Sequence, residues 1–324
     1  MTTDNNIKKN SHPVTAKEQT INFGDFEPQE DAKQAAPQHT KASEGRMSGF
    51  SFISFGSGSS GNSAYVGNEN GGVIIDAGIE DDIVFDTLAR NGVSPSRIKG
   101  VILTHDHQDH VRYVYKLVRR FKHIRIYCTP RLLGGLLRRH NISRRVKEYQ
   151  DNIFIEIPFH VAGMTITAFQ TSHDGTDNMG FDIELDGQHF VFAPDMGMIT
   201  ERAHYYMSRA NYLSIESNYD LKMLLNGTYP EYLKCRVRGA RGHLDNTVAA
   251  QFVADNYHEG LRYVFLNHLS KDNNTPAKAC ETMVTALEGL GLTVGDGSNA
   301  VGQRERDIQV YALPRFVPSL WFVL

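Results

Sequence analysis

A chain of 324 residues, 40% hydrophobic and 22% charged, has ordinary globular composition and is long enough for one large α/β domain or two smaller ones. Its formal net charge of -3 argues neither for nor against a polyanionic partner, and three scattered cysteines without a CxxC pair argue against a disulfide framework and fit a reducing compartment. No run approaches the ~20 apolar residues of a membrane span, and the polar N-terminus does not read as a secretory signal, so the cytoplasm is the expected location.

Residues 1–46 are rich in Lys, Glu, Gln, Asn and Thr without apolar periodicity, and are expected to be a disordered or loosely attached extension; 47–324 form the folded domain. Strands are expected over 50–55, 64–66 and 72–76, a helix over 83–91 with Gly92 as its C-cap, and a short buried strand at 101–103. An amphipathic helix follows from about Asp109 to Arg120. Further strands are expected at 125–128, 153–157, 164–170, 179–185 and 188–193, the last two joined through Asp186-Gly187. Helices at 229–238, 245–257 and 275–289 and strands at 211–215 and 262–266 complete the pattern. Two batches of strands, each followed by helices, predict an α/β sandwich with helices on its outer faces. The apolar end, 316–324, is too short to span a bilayer and is expected to pack on the body or at an interface.

The chemistry concentrates in Thr104-His105-Asp106-His107-Gln108-Asp109-His110, a T-H-x-H-x-D-H segment directly after Val101-Ile102-Leu103. Three imidazoles and a carboxylate so close together form a metal-ligand cluster suited to zinc, manganese or iron. The alternate spacing does not fit one helix face, where ligands recur at i and i+4, and fits instead a loop leaving a strand. His173, Asp195 and His268 each stand where another apolar strand ends, the position from which functional groups converge in layered α/β folds.

This set, in this order, resembles the metallo-β-lactamase superfamily over roughly 50–313, which implies an αββα sandwich of two mixed sheets flanked by helices. The resemblance implies two divalent metal ions. His105, His107 and His173 would hold one, Asp109, His110 and His268 the other, with Asp195 bridging and Asp76 supporting the histidine loop. Zinc is the first expectation, and the mixed N/O set also accommodates manganese or iron. His107 stands where the oxygen-reductase branch has glutamate, and Asp195 where many true β-lactamases have cysteine, so neither redox chemistry nor antibiotic hydrolysis is expected. Two metals ~3.5–4 Å apart suit hydrolysis, because a shared water can fall from a pKa of about 15.7 to ~7 while the cations neutralise oxyanions.

The segments 55–63, Glu216-Ser217-Asn218-Tyr219-Asp220, Gly242-His243-Leu244-Asp245-Asn246 and 267–274 are similar to the YycJ/WalJ-like group, thought to contain DNA exonucleases. Gln108 and Asp245 depart from the residues usual there, and neither is a ligand. The glycine-rich 56–61 lacks the Gly-Lys-Ser/Thr of a P-loop and precedes a strand, so it reads as a tight turn, with Asn62 a candidate pocket residue. By the same resemblance Glu216 and His243 are a proton-donating pair, and Asp109, Glu216 and His243 are the catalytic candidates.

Charge bears on the substrate. From Val111 to Lys147 there are twelve Lys/Arg and no Asp or Glu, and Lys234, Arg236, Arg238 and Arg241 lead into His243. Such segregation fits a phosphate backbone, with Arg112, Lys116, Arg119, Arg120, Arg236, Arg238 and Arg241 as candidate nucleic-acid contacts. The expected activity is a dinuclear metal-dependent phosphodiesterase, a 5′-to-3′ exonuclease acting on DNA in preference to RNA. The alternatives are an ester or thioester hydrolase of the glyoxalase II type, then a ribonuclease.

Overall fold

The computed structural model describes residues 49–298, 302–303 and 305–324. The expected extension over 1–46 lies outside them. The described residues all belong to one unit, Arg46–Leu324.

Aromatic and β-branched runs bounded by Gly, Asn or Ser build the first sheet. In chain order come β1 (Ser51–Gly56), β2 (Ser63–Asn68), β3 (Gly71–Ile75), α1 (Asp81–Arg90), β4 (Ile98–Ile102), α2 (Gln108–Val111), α3 (Val114–Arg120), β5 (Arg125–Cys128), α4 (Pro130–Arg139) and β6 (Gln150–Asn152). The second half runs β7 (Phe159–Val161), β8 (Met164–Gln170), β9 (Met179–Leu185), β10 (Gln188–Ala193), α5 (Glu201–Met207), β11 (Tyr212–Glu216), α6 (Leu221–Asn226), α7 (Glu231–Arg238), α8 (Asn246–Asp255), β12 (Tyr263–Asn267), α9 (Pro276–Glu288), β13 (Val294–Gly295) and β14 (Ile308–Ala312). The last strand, β15 (Phe322–Val323), returns to the first sheet, where it pairs antiparallel with β1.

Among the described residues the first sheet has the order β15-β1-β2-β3-β4-β5-β6 and the second β13-β14-β12-β11-β10-β9-β8-β7. Their inner faces interlock through aromatic rings: Phe52 of β1 lies 4.9 Å from Phe190 of β10 and 4.7 Å from Phe265 of β12, centroid to centroid. Burying one such phenylalanine stabilises the fold by about 1.5–3 kcal/mol. Helices α1, α3 and α4 cover the first sheet through Leu88, Leu117 and Leu136. Helices α5, α8 and α9 cover the second through Met207, Val253 and Met283. This is the expected α/β sandwich of two mixed sheets with helices outside.

In both sheets a parallel block carries the functional ends. Strands β3 to β6 run parallel, as do β10, β11, β12 and β14. Residues just beyond the carboxyl ends of β3, β4, β10 and β12 therefore emerge together, as does Glu216 at the end of β11.

Two expected elements differ. The helix expected from Asp109 to Arg120 breaks at Arg112-Tyr113, because the Tyr113 amide leaves the helical pattern to donate to the Ala77 carbonyl at 2.8 Å. The strand expected at 153–157 is not one. Pairing with β5 ends at Cys128↔Asn152, and Phe154 to Ile157 folds back on itself, with Glu156 at φ +61°. The apolar end packs on the body through β15 and through Trp321 stacked on Tyr65, while Phe316 and Val317 stay exposed. No described helix is long and apolar enough to cross a membrane.

Candidate metal centre

Asp76 leaves β3 with φ +59°, a left-handed conformation that short polar side chains tolerate best. Its buried carboxylate accepts the Thr104 amide at 2.8 Å and the Thr104 hydroxyl at 2.7 Å, and lies 2.7 Å from His110 Nδ1. With Nδ1 engaged, His110 Nε2 is the atom turned to the centre. Thr104 Oγ1 lies 3.0 Å from His105 Nδ1, which leaves His105 Nε2 facing inward. The Gly242 carbonyl engages His173 Nδ1 at 2.8 Å with the same result. One outer partner for each ring nitrogen is how proteins fix the tautomer of a metal-binding histidine.

Four of the expected residues, His105, His107, His173 and Asp195, bring one ligand atom each to within 4.8 Å of one another, and Asp109, His110 and His268 do the same. Asp195 lies between the groups. Its Oδ2 is 3.9 Å from His105 Nε2, 3.7 Å from His173 Nε2 and 3.6 Å from His110 Nε2, and its Oδ1 is 2.8 Å from His268 Nδ1. His105 Nε2, Asp195 Oδ1 and His268 Nδ1 are buried without a hydrogen-bond partner. The 2.8 Å approach of the last two lacks hydrogen-bond geometry, as when two lone pairs face a common acceptor. Orphaned polar atoms are costly in a protein interior, and divalent cations would satisfy all three, so these residues fit the expected metals.

Burial holds His105 well below its ordinary pKa, and lowers His173 to about 4, so both rings are neutral donors at pH 7. Burial also opposes charge on His110, but Asp76, Asp109 and Asp195 outweigh it and raise that group well above the usual range.

Glu216, at the end of β11, is fully buried; Oε2 accepts the Met196 amide at 2.7 Å and the Leu244 amide at 3.2 Å. Oε1 lies 2.6 Å from His243 Nδ1. The His243 side chain keeps 24% of its surface open, and its ring sits 5.1 Å from His173 and 5.3 Å from His268, centroid to centroid. Burial would discharge His243, but Glu216, followed by Asp195 and Asp109, raises it to about 9. His243, Asp195 and His268 also form a ligand-distance group of their own, so a ligand role for His243 is sterically open.

The surrounding loops are braced by the segments singled out in the sequence. Asn62 donates to Asp109 Oδ2 at 3.1 Å, lies 2.9 Å from His110 Nε2, and exchanges hydrogen bonds with Gly58. The glycine-rich loop also holds His268 (φ +51°), whose amide donates to Ser57 Oγ at 2.8 Å. Gly78 is required where it stands, since a Cβ there would meet the Asp109 carbonyl at 1.6 Å. Asp245 caps α8 by accepting the Thr247 amide at 2.6 Å, the work a serine would do at that position.

Two further aspartates lie beside the cluster. Asp174 lies 3.1 Å from His107 Nε2 and 3.6 Å from His173 Nε2, and accepts Arg236 at 2.8 Å; its place beside His173 was its only sequence signal. Asp106, the spacer between His105 and His107, is fully buried and accepts the Thr176 amide at 2.8 Å and hydroxyl at 2.5 Å.

The structure sorts the basic candidates. Lys116 lies 2.7 Å from Asp81 and 3.0 Å from Glu80, and Arg120 lies 2.8 Å from Asp81 and also meets Asp82. Arg241 donates to the His173 carbonyl at 3.2 Å. Arg112, Arg119 and Arg238 have no ion-pair partner among the described residues.

A family model described as a beta-lactamase superfamily domain matches residues 72–264. The exodeoxyribonuclease WalJ of Streptococcus pneumoniae is 29% identical over 248 residues, 76% of this chain and 91% of that protein. The exodeoxyribonuclease YycJ of Bacillus anthracis is 27% identical over 249 residues, 76% of this chain and 93% of that protein. Among solved structures, the metallo-beta-lactamase fold protein YhfI of Bacillus subtilis superposes with a TM-score of 0.59 at 14% identity, over 84% of this chain and 99% of that one. The match to the family model spans more than half of the sequence, and on that ground the chain belongs to the beta-lactamase superfamily, as a YycJ-like member with the metallo-beta-lactamase fold.

Proposed function

We propose that this protein is a dinuclear metal-dependent phosphodiesterase, a 5′-to-3′ exonuclease on DNA. The observation that carries the reading is the buried Glu216 holding a partly open His243 at 2.6 Å beside the candidate ligand cluster, an arrangement that supports His243 as the proton donor of a hydrolytic centre. The kinship with two proteins named exodeoxyribonucleases, each matched over most of its length, supports DNA as the substrate.

His105, His107 and His173 would hold one divalent cation, Asp109, His110 and His268 the other, and Asp195 both, with zinc as the first expectation. When bound, the pair supplies Lewis acidity to phosphoryl oxygens and lowers the pKa of water. The chain's own residues do the rest. Asp76 and Thr104 set the tautomers of His110 and His105, and the Gly242 carbonyl sets that of His173. Glu216 orients His243 and keeps its ring protonated at pH 7, so that the free Nε2–H can pass a proton to the departing 3′ oxygen. Arg112, Lys116, Arg119, Arg120, Arg236, Arg238 and Arg241 would supply the phosphate contacts, the unpaired arginines directly and the paired residues by exchanging a carboxylate for a phosphate.

The test is to load the protein with zinc or manganese and incubate it with 5′- and 3′-labelled DNA, RNA and a thioester, with Asp195→Ala as control. Mononucleotides released from the 5′ end of DNA, and lost in the variant, are expected. Thioester turnover without nuclease activity would overturn the reading.

A further inference from the structure

An open cleft of about 680 Å³ lies against the metal loop, between α2 and α3 on one side and the end of α4 and the turn after it on the other. Its volume falls within the ~300–1,000 Å³ of ordinary ligand sites. Gln108, at the first turn of α2 and adjacent to Asp109, marks the end nearest the centre. Arg112 and Arg119 stand on the α2–α3 wall and Arg139 on the α4 wall, with Tyr115 and Asn141 between them, and no carboxylate lines the cleft. Arg112 and Arg119 are exposed and without a side-chain partner among the described residues, although Lys116 on the same wall is held by Glu80 and Asp81. Two exposed, unpaired guanidinium groups on a concave wall without a carboxylate present their forks to an oxyanion.

The second wall is tied to the metal loop. Asp106, between His105 and His107, accepts Arg139 at 3.2 Å, and its carbonyl lies 2.6 Å from His140 Nε2. The cleft is thus positioned by the segment that carries the ligands, and its distance from the centre is fixed.

We propose that this cleft seats a segment of single-stranded polynucleotide on one side of the scissile phosphate, with Arg112 and Arg119 on successive phosphates and the Tyr115 ring beneath a sugar or base. This rests on the phosphodiesterase reading of the metal centre. A basic groove with an aromatic ring among its cations is the form that binding of an unpaired strand without base readout takes. Contacts of this kind carry no base readout, which suits an enzyme that shortens any sequence.

The experiment compares Arg112→Gln/Arg119→Gln with Arg90→Gln/Lys99→Gln, which removes the same charge from exposed positions at the end of α1 and the start of β4, outside the cleft lining, after thermal melts establish that both are folded. Metal-loaded protein is titrated with fluorescent oligothymidylates of four, ten and twenty nucleotides at several salt concentrations, and hydrolysis of each is followed beside that of bis-p-nitrophenyl phosphate. The cleft variant is expected to raise Kd for the longer strands about tenfold or more and to lower the salt slope by roughly 1.4, two contacts at ~0.7 each. Its KM should rise more for the ten-nucleotide strand than for the small diester, while the control stays near wild type. Equal losses in both variants, or equal losses on strand and small diester, would overturn the cleft assignment and leave the phosphodiesterase reading intact. Cleft-dependent binding without hydrolysis by the wild type would overturn that reading alone.

Discussion

The first sheet delivers its half of the centre from neighbouring stretches, Asp76 and 104–110, whereas the second collects His173, Asp195, Glu216, His243 and His268 from loops far apart in the chain. The difference lies in how each half is held. In the first, Asp76 and Thr104 fix the ring orientations through short hydrogen bonds across adjacent parallel strands. In the second, the register of β10, β11 and β12 sets where the residues emerge, and long-range bonds such as Ser57 Oγ to the His268 amide finish the placement. A local half tolerates loss of remote contacts; an assembled half depends on the whole sandwich.

Substitutions can break or sharpen this contrast. The largest effect is expected in the assembled half: His243→Ala should lower kcat by about 10²–10⁴-fold while metal content stays that of the wild type. Full turnover with metal bound would remove His243 from the reaction and leave the pair with Glu216 structural. Next, Asp76→Ala should weaken metal affinity or activity by about 10–100-fold, because His110 loses the carboxylate that sets its tautomer. Competition with a chelator measures this, and unchanged affinity would mean that the local half does not rely on its own hydrogen bonds.

The smallest effect tests the support behind the loop. Asp81 begins α1 and pairs with Lys116 and Arg120 of α3, the helix that follows the histidine loop. Burial alone would raise its pKa, but the two cations outweigh burial and hold it below the usual carboxylate value. A depressed folded-state pKa contributes stability above the unfolded value of about 3.9, and that stability is lost as pH falls through the folded value. Asp81→Asn should therefore cost about 1–2 kcal/mol at pH 7, with the gap to wild type closing below roughly pH 4. Urea melts at several pH values measure it, and a gap independent of pH would separate the loss from ionisation of Asp81.

Most strands were legible because long apolar runs in a sandwich leave few alternatives, as with Phe190-Val191-Phe192-Ala193 in β10. Helix α4 escaped the reading although its signals were local: Thr129 as cap, Pro130 at the first turn, and Leu132, Leu133 and Leu136 on one face with the arginines on the other. The segment 153–157 is apolar like a strand, but it turns back on itself at Glu156 and makes only single backbone bonds to β5 and β8, and the break in the 109–120 helix is imposed by the Ala77 carbonyl. Neither fact is local.

By itself the sequence determined the metal-binding chemistry, because imidazole and carboxylate at that spacing beside a buried strand have few other uses. It also carried the order of the strand-end histidines and aspartates and hence the family. Only the tertiary structure decided the fate of the basic residues. The interval from Val111 to Lys147 contains no acid, yet α1 brings Glu80, Asp81 and Asp82 onto Lys116 and Arg120, while Arg112 and Arg119 remain open to the cleft. Charges act through space and not along the chain, so which of them face a substrate is settled by what the fold places opposite each one.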